Sequence, residues 1–556
     1  MSISSTLDFD IIFAGGGTTA CVVAGRLAAC DPSLKILVLE AGPHTLNEAA
    51  CVQPYLYPTH LAPWTSTVSF VVGNSSPRLN DRAPIASCGR CVGGGSSVNF
   101  MVYTRAPASD FYDWRVDGWE SENLIPIMKK PDCATHGYNG PIKVSSGGYK
   151  LNLGQELIDV GKAYHKRPYA DDTDDLETCN TYSSCVRRYI DGTTGRRSDA
   201  AHHYVYNQAH NTNLQIWAGK RVKRVIFEDK RAVGVEFTSD SVSCPGADLS
   251  SSTVRASKLV VVSAGAFGSP TILERSGIGS EAVLKRCGIE QLVNLPGVGE
   301  NYQDHQGAFA AYNVADNVVT MDPLWRGEES AVQECLAQWK RDGRGLVAQN
   351  GGEAKIKWRP DDDELSAMGS AFQPRWKEFF QDRPDKNSRN IRHVCGLYPA
   401  SVGSVHVKLE ENGKEGIDFT PGYLDDPSDI VPLNFGYKKM RELYRRMPSY
   451  RGEIPASHPM DLNAPDIIYT PEDDAAIEKF HLQTMWHSLV VDARLNVYGV
   501  TNLKVADMSM VPKNVGTNTY SMALLIGEKA AMIIAEDLGI DFTTCPSWWE
   551  SSEEGN

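Results

Sequence analysis

Apolar runs and glycine turns alternate at the start of the chain. Asp10-Ile11-Ile12-Phe13-Ala14 is a short, almost unbroken apolar run, the pattern of a strand buried on both faces. Gly15-Gly16-Gly17 follows. Ala20, Val23, Ala24, Leu27 and Ala28 then recur at helical spacing until Asp31-Pro32 stops them. Lys35-Ile36-Leu37-Val38-Leu39-Glu40 is a second apolar strand. Two strands joined through a helix lie parallel. Residues 222–227, 233–237 and 259–263 predict further strands. A helical pattern resumes at Pro471, and residues 519–538 predict an Ala- and Ile-rich helix. Residues 42–84 are rich in Pro, Asn and Ser and read as long surface loops. Residues 301–480 are patterned more weakly, and Asp361-Asp362-Asp363-Glu364 is expected on a solvated face. Neither internal repeats nor low-complexity segments are visible.

Composition narrows the class. The chain has 556 residues, room for more than one domain. With 42% hydrophobic and 22% charged residues it reads as globular. The net charge of −14 argues against nucleic acid as a partner, because phosphate binding is driven by Lys and Arg. Thirteen scattered cysteines do not form a secreted disulfide framework. Cys88 and Cys91 make one C-x-x-C with no second pair or His cluster to complete a zinc site, so it reads as apolar packing, with a redox or metal role as the alternative; no metal is expected at the functional site. No secretory signal and no membrane span are visible, and the last residues are not a peroxisomal tripeptide. The expectation is a cytoplasmic protein with no membrane partner. Oligomeric state is not legible.

Gly15-x-Gly17-x-x-Ala20 lies between the first strand and its helix. The first glycine permits a tight turn, the second lets the backbone approach a pyrophosphate, and a small third residue packs helix on strand. The helix start adds free N–H groups and a positive dipole end. Glu40 ends the second strand, 25 positions after Gly15, where a carboxylate accepts from ribose hydroxyls. This pattern predicts dinucleotide binding and leaves FAD and NAD both open.

Four more segments separate them. Gly89-Arg90-Cys91-Val92-Gly93-Gly94-Gly95-Ser96-Ser97-Val98-Asn99 is a second glycine-rich loop, suited to the longer chain of FAD. The others are Gly265-Ala266-Phe267-Gly268-Ser269-Pro270 with its continuation to Gly279, Asn294-Leu295-Pro296-Gly297-Val298-Gly299-Glu300-Asn301-Tyr302-Gln303-Asp304-His305, and Leu503-Lys504-Val505-Ala506-Asp507 followed by Pro512 and a helix. In this order the five elements resemble the glucose–methanol–choline (GMC) oxidoreductases. Asn99-Phe100-Met101-Val102-Tyr103-Thr104-Arg105 and Asn514-Val515-Gly516-Thr517-Asn518-Thr519-Tyr520 look most like fungal methanol (short-chain alcohol) oxidases. Tyr112 departs from the first family signature, which usually has a small polar or acidic residue there. The resemblance implies an α/β fold, a Rossmann-like FAD-binding domain with an α+β substrate part on an antiparallel sheet. It divides the chain into 8–150, 196–300 and 481–540 for FAD, and 151–195 and 301–480 for substrate.

The resemblance also implies the site. His487 and Asn518 take the catalytic positions, facing the flavin ring and the substrate carbon. Hydride leaves an alcohol carbon only as the hydroxyl proton is lost, and a neutral imidazole can take that proton. Asn518 would hold the same oxygen; read alone, it is a helix N-cap. The implied cofactor shell is Gly15, Gly17, Thr18, Thr19, Glu40, Arg90, Gly94, Ser96, Asn99, Phe100, Met101, Val102, Val222, Asp507, Asn518 and Thr519. Phe100, Val102 and Trp486 would line the substrate pocket. Val102 replaces a Met usual in methanol oxidases and implies a roomier pocket, for a bulkier or secondary-metabolite alcohol. Val98 stands where covalently flavinylated relatives carry His, which implies non-covalent FAD.

Two departures are visible. Trp486-His487-Ser488-Leu489-Val490-Val491-Asp492 runs straight on where the family inserts a Gly-Thr turn and a hairpin. A substrate-sheet strand near Cys395-Gly396-Leu397-Tyr398-Pro399 looks shortened or lost. The expected reaction is FAD-dependent oxidation of an alcohol to an aldehyde or ketone, with O2 or another electron acceptor. The alternatives are a flavin-bearing lyase, isomerase or cyclase without net redox chemistry, and a non-enzymatic remnant of the flavin fold.

Overall fold

The structure is a computed structural model. It describes residues 8–128, 140–170, 174, 176, 181–183, 186–386, 389–391, 394–410, 415–460, 462, 467–484 and 495–542. The predicted unit is present as β1 (Asp8–Ala14), α1 (Thr18–Cys30) and β2 (Ile36–Glu40). The strands pair in parallel, with Ile11 opposite Ile36 and Ala14 opposite Leu39. Ile11, Ile12, Phe13 and Ala14 are wholly buried, as a central parallel strand requires.

Strands from distant segments extend this sheet. Leu214–Ala218 lies parallel outside β2. Ser252–Val262 lies parallel on the other side of β1, and Leu503–Val505 runs parallel to it. The hairpin Lys220–Glu228 and Arg231–Ser239 closes the far edge antiparallel. Among the described residues the sheet has seven strands. α1 packs against the last helix, Tyr520–Asp537: Ala20, Val23, Ala24 and Leu27 share a core with Met522, Leu525, Ile526 and Ala530. Fully burying a Val or Leu contributes about 1.5–3 kcal/mol, so this contact fixes α1 firmly beneath the glycine turn.

Residues 42–84 are not only loops. They contain the helix Ala49–Val52, a 3-10 turn Pro54–Leu61 and the strand Val68–Val72, which pairs antiparallel with Ile85–Gly89. Their prolines start turns, while Cys51, Tyr55, Tyr57 and Leu79 are buried. Turn-forming residues dominate the pattern of this stretch, and isolated apolar anchors of this kind carry no periodicity that marks them as buried.

A second sheet is antiparallel, in the order Gln306–Ala308, Val394–Gly396, Arg389–Ile391, Lys355–Trp358 and Tyr182–Ser183. The strand expected to be shortened or lost is not lost: it is three residues long and paired on both sides. Helix Ile430–Arg445 packs Leu433, Tyr437 and Met440 against Ile356 and Trp358. The acidic run is not simply solvated. Asp361 caps helix Asp362–Ala367 in a capping box with Glu364, and the shielded Glu364 carboxylate pairs with Arg167. Among the described residues no helix is long and apolar enough to cross a membrane.

Candidate functional site

Two glycine turns meet at the C-terminal edge of the parallel sheet. Gly15 has φ +109°, and a Cβ there would lie 2.4 Å from the Ser263 carbonyl oxygen, so only glycine fits. Gly94 has φ +52°, and its Cβ would come 2.8 Å from the Gly17 Cα. The Gly93 N–H donates to the Gly16 carbonyl (2.8 Å), the Thr18 hydroxyl to the Gly93 carbonyl (3.0 Å), and the Ser96 N–H to the Thr18 hydroxyl oxygen (3.2 Å). α1 has Gly17 as its N-cap, with no side chain to cap it. Its first amides therefore have no side-chain competitor for an anion. Space is open beside Gly95. Cramped glycines around an uncapped helix start are what a diphosphate needs.

Glu40 is buried, and its oxygens accept from Gly16 N–H and Gly42 N–H, both at 2.8 Å. Burial raises its pKa and these amides pull it back. Each oxygen keeps a second lone pair for a ribose hydroxyl. Val222 is a core side chain in the edge hairpin. Asp507 accepts from Ser509 N–H (2.8 Å) and, through its other oxygen, from Gly265 N–H (2.8 Å) and the Ser269 hydroxyl (2.5 Å). It thereby ties Leu503–Val505 to the start of helix Gly265–Arg275.

Several expected cofactor residues have structural partners. The Arg90 guanidinium is bonded to Asp240 (2.7 Å) and the Ser66 carbonyl (2.7 Å). The Thr19 hydroxyl donates to the Ala523 carbonyl (3.2 Å). Asn99 Oδ1 accepts from Met101 N–H (2.9 Å) and from Arg197 (3.1 Å), and Met101 sits at φ +54°. Arg197 also binds the Ser96 and Asn99 carbonyls (3.2 and 2.8 Å), locking the second glycine loop from below. Phe100 packs on Tyr57 with ring centroids 4.5 Å apart, and the half-buried Val102 bridges to Arg188 through the backbone.

Asn518 is exposed, whereas residues 514–517 before it are buried. It does not cap the last helix; that position is Thr519, which makes no side-chain cap bond. Asn518 N–H instead donates to the Thr104 hydroxyl oxygen (3.0 Å), which lies 3.4 Å from Asn518 Oδ1. The loop before it is held from two further sides. His305 Nε2 lies 2.6 Å from the Val515 carbonyl, an acceptor only, so this nitrogen carries the proton. Burial pushes the His305 pKa down to about 4, which keeps it neutral. On the other side, Gly516 N–H donates to Asp110 Oδ2 (2.8 Å). Asp110 also accepts from the Tyr398 hydroxyl (3.2 Å) and pairs with Lys386 (3.0 Å), which reaches Asp113 as well (2.6 Å). Burial disfavours the Lys386 charge, but Asp110 and Asp113 hold its pKa above the ordinary value.

Trp486 and His487 lie outside the described residues. Sequence reasoning missed the supporting roles of Arg197, Asp110 and Lys386. Thr104 and His305 stand inside the quoted segments, but nothing in their spacing marks them as tethers. An apolar cavity of about 360 Å³ lies between helix Gly265–Arg275, residues 295–300 and residues 495–498. None of the expected site residues lines it.

A parallel sheet, a glycine crossover, a second glycine loop closing on it and an acid at ribose reach define a dinucleotide-dependent enzyme with a separate antiparallel sheet. The chain matches the GMC oxidoreductase profiles, N-terminal over residues 9–307 and C-terminal over residues 399–527. It belongs to the GMC oxidoreductase family and is an FAD-dependent oxidoreductase. It is 36% identical to alcohol oxidase 1 of Komagataella phaffii, covering 96% of this chain and 95% of the relative. That alignment spans 638 positions against 556 residues here, so the relative carries insertions that this chain lacks. Human mitochondrial choline dehydrogenase is 28% identical, over 95% of this chain and 90% of its own. Among solved structures, an FAD-dependent oxidoreductase from Chaetomium thermophilum superimposes with a TM-score of 0.82 at 22% identity, covering 96% of this chain and all of its own. A fungal aryl-alcohol oxidase gives 0.77 at 22% identity, covering 96% and 99%.

Proposed function

We propose that the protein oxidises an alcohol to an aldehyde or ketone, with O2 as the electron acceptor. The observation that carries this reading is the 36% identity to an alcohol oxidase along nearly the whole of both chains. Bound FAD supplies the hydride acceptor. The residues proposed to hold it are the glycines of the two turns, the first amides of α1, Glu40 and the Thr104-tethered Asn518. His487 takes the hydroxyl proton, and Asn518 binds the same oxygen and fixes the direction of the C–H bond. Deprotonation and C–H cleavage then fall on one held substrate, which is how general-base catalysis gains about 10²–10⁴-fold. Residues 8–150, 196–300 and 481–540 form the flavin part in this reading, and 151–195 with 301–480 the substrate part. Val102 makes room for an alcohol larger than methanol.

Anaerobic mixing with methanol, ethanol, benzyl alcohol, cyclohexanol and choline tests the reaction. At least one alcohol is expected to bleach the visible flavin band, with the larger ones faster than methanol. No bleaching by any of them contradicts the reading. No observation favours a redox-neutral lyase or isomerase.

Val98 has no group that can bond covalently to a flavin, so the FAD is proposed to be non-covalent. Heat-precipitated protein is then expected to leave yellow flavin in the supernatant. Flavin retained on the pellet contradicts this.

A further inference from the structure

Two thiols that this reaction does not use meet beside the second glycine loop. The sequence offers Cys88-x-x-Cys91 as the natural pair. The fold separates them: Cys88 lies in the strand Ile85–Gly89, and Cys91, just beyond it, meets Cys51 from 40 positions upstream. Cys51 lies on the short helix Ala49–Val52. Both are free thiols, neither side chain has any solvent exposure, and they pack with Val68 and Val98 in one small cluster.

Their surroundings make the two sulfurs unequal. The Cys91 thiol donates to the Gly94 carbonyl (3.7 Å), which holds its proton in place. The neighbouring Cys91, with His60 and Arg197, draws the Cys51 pKa down against its burial. The neighbouring Cys51 and burial push the Cys91 pKa up. His60 is fixed in place, with Nδ1 2.7 Å from the Thr67 hydroxyl and Nε2 3.0 Å from the Ala50 carbonyl. One sulfur is therefore biased toward the thiolate while its neighbour keeps a proton, the arrangement of an attacking and a resolving cysteine. Burial excludes bulky thiols and disulfides as reactants. A water-sized peroxide is the class of oxidant that fits, and an oxidase that reduces O2 makes one; this source rests on the reaction proposed above.

We infer that Cys51 and Cys91 are a peroxide-sensitive dithiol that closes to a disulfide. The Cys51 sulfur attacks one peroxide oxygen; an S–O bond forms, the O–O bond breaks, and the other oxygen leaves as water after taking a proton. The Cys91 sulfur then attacks the Cys51 sulfenic acid; an S–S bond forms, the S–O bond breaks, and a second water leaves with the remaining proton. Two thiols and one hydrogen peroxide give one disulfide and two waters, the sulfurs losing the two electrons that the peroxide gains. Cys91 is two residues before Gly93, whose N–H holds the Gly16 carbonyl. The new bond would tie the cofactor loop to the helix Ala49–Val52 and reduce activity as peroxide accumulates.

The test uses the full chain loaded with FAD. One arm adds hydrogen peroxide without alcohol. The other supplies air and whichever alcohol of the panel bleaches the flavin, with and without catalase. Samples are quenched in acid, alkylated while unfolded, digested without reduction and analysed by mass spectrometry. The expected result is a Cys51–Cys91 linked peptide, lighter by two hydrogens, in both arms, with catalase removing it from the second. Cys51→Ser should keep its basal activity, lose the linked peptide and resist inactivation by added peroxide. Cys88→Ser should behave as the unaltered chain. Both cysteines alkylated after inactivating peroxide, a Cys88–Cys91 link, or Cys51→Ser inactivated as fast as the unaltered chain would each overturn the inference. A link formed by added peroxide but absent during turnover would leave the dithiol standing and contradict peroxide production.

Discussion

His487→Ala is expected to slow anaerobic flavin reduction by about 10²–10⁴-fold while leaving the flavin bound. The imidazole is the group assigned to take the hydroxyl proton, and without it the alcohol must lose that proton to water as hydride departs. An unperturbed imidazole has a pKa of about 6.5, so the native rate should rise with pH through that region and then level off. The variant should lose this limb. Stopped-flow reduction over a pH series reads both effects. A variant that keeps the native rate and profile would remove His487 from the role. Asn518→Ala, by contrast, should lower the rate without moving the limb.

Lys386→Met is expected to destabilise the fold by about 3–5 kcal/mol, the usual cost of stripping one partner from a buried ion pair. Lys386 is 1% exposed and lies between Asp110 and Asp113. In the native protein burial raises the Asp110 pKa, and Lys386 opposes that rise. Burial also works against ionising Asp113, but Lys386 and Arg383 hold its pKa below the ordinary value. Asp113 thus contributes stability above about pH 4, which fades as pH falls through its folded pKa. In the variant Asp110 loses its cation, and its folded pKa rises further. A carboxyl raised in the folded state costs stability above its unfolded pKa, and protonation relieves that cost. The stability gap between the two proteins should therefore narrow as pH falls from neutral toward 5. Adding Asp110→Asn should recover part of the loss, because an amide oxygen can still accept from Gly516 N–H. Denaturant titrations at two pH values measure this. The variant's activity should fall beyond its loss of stability, since Gly516 is two residues from Asn518 and a displacement of about 1 Å can cost about 10²-fold in rate.

What was legible in the chain follows from how local each signal is. The β–α–β unit, the edge hairpin and the last helix each carry their pattern within a few turns of sequence, and all are present. The second sheet is built from strands of two to four residues, too short to show a period, and only the family resemblance pointed to it. Gly15 and Gly94 could be read from sequence because a single residue type meets their steric demand. Lys386, Asp110 and Arg197 could not, because a charged residue in sequence gives no sign that its partner is buried beside it. Glu364 failed the same way: its run of four acids suggests solvent, and only the fold brings Arg167 to it. The Cys51–Cys91 contact joins two glycine- and proline-rich stretches whose course no periodicity fixes.

On this reading the chain holds a whole flavin nucleotide between its two glycine turns. The visible absorption spectrum of the purified protein, followed by identification of the released chromophore, tests it most directly. The expected result is a yellow protein carrying one FAD per chain. A colourless protein that takes up no FAD when incubated with an excess would contradict it.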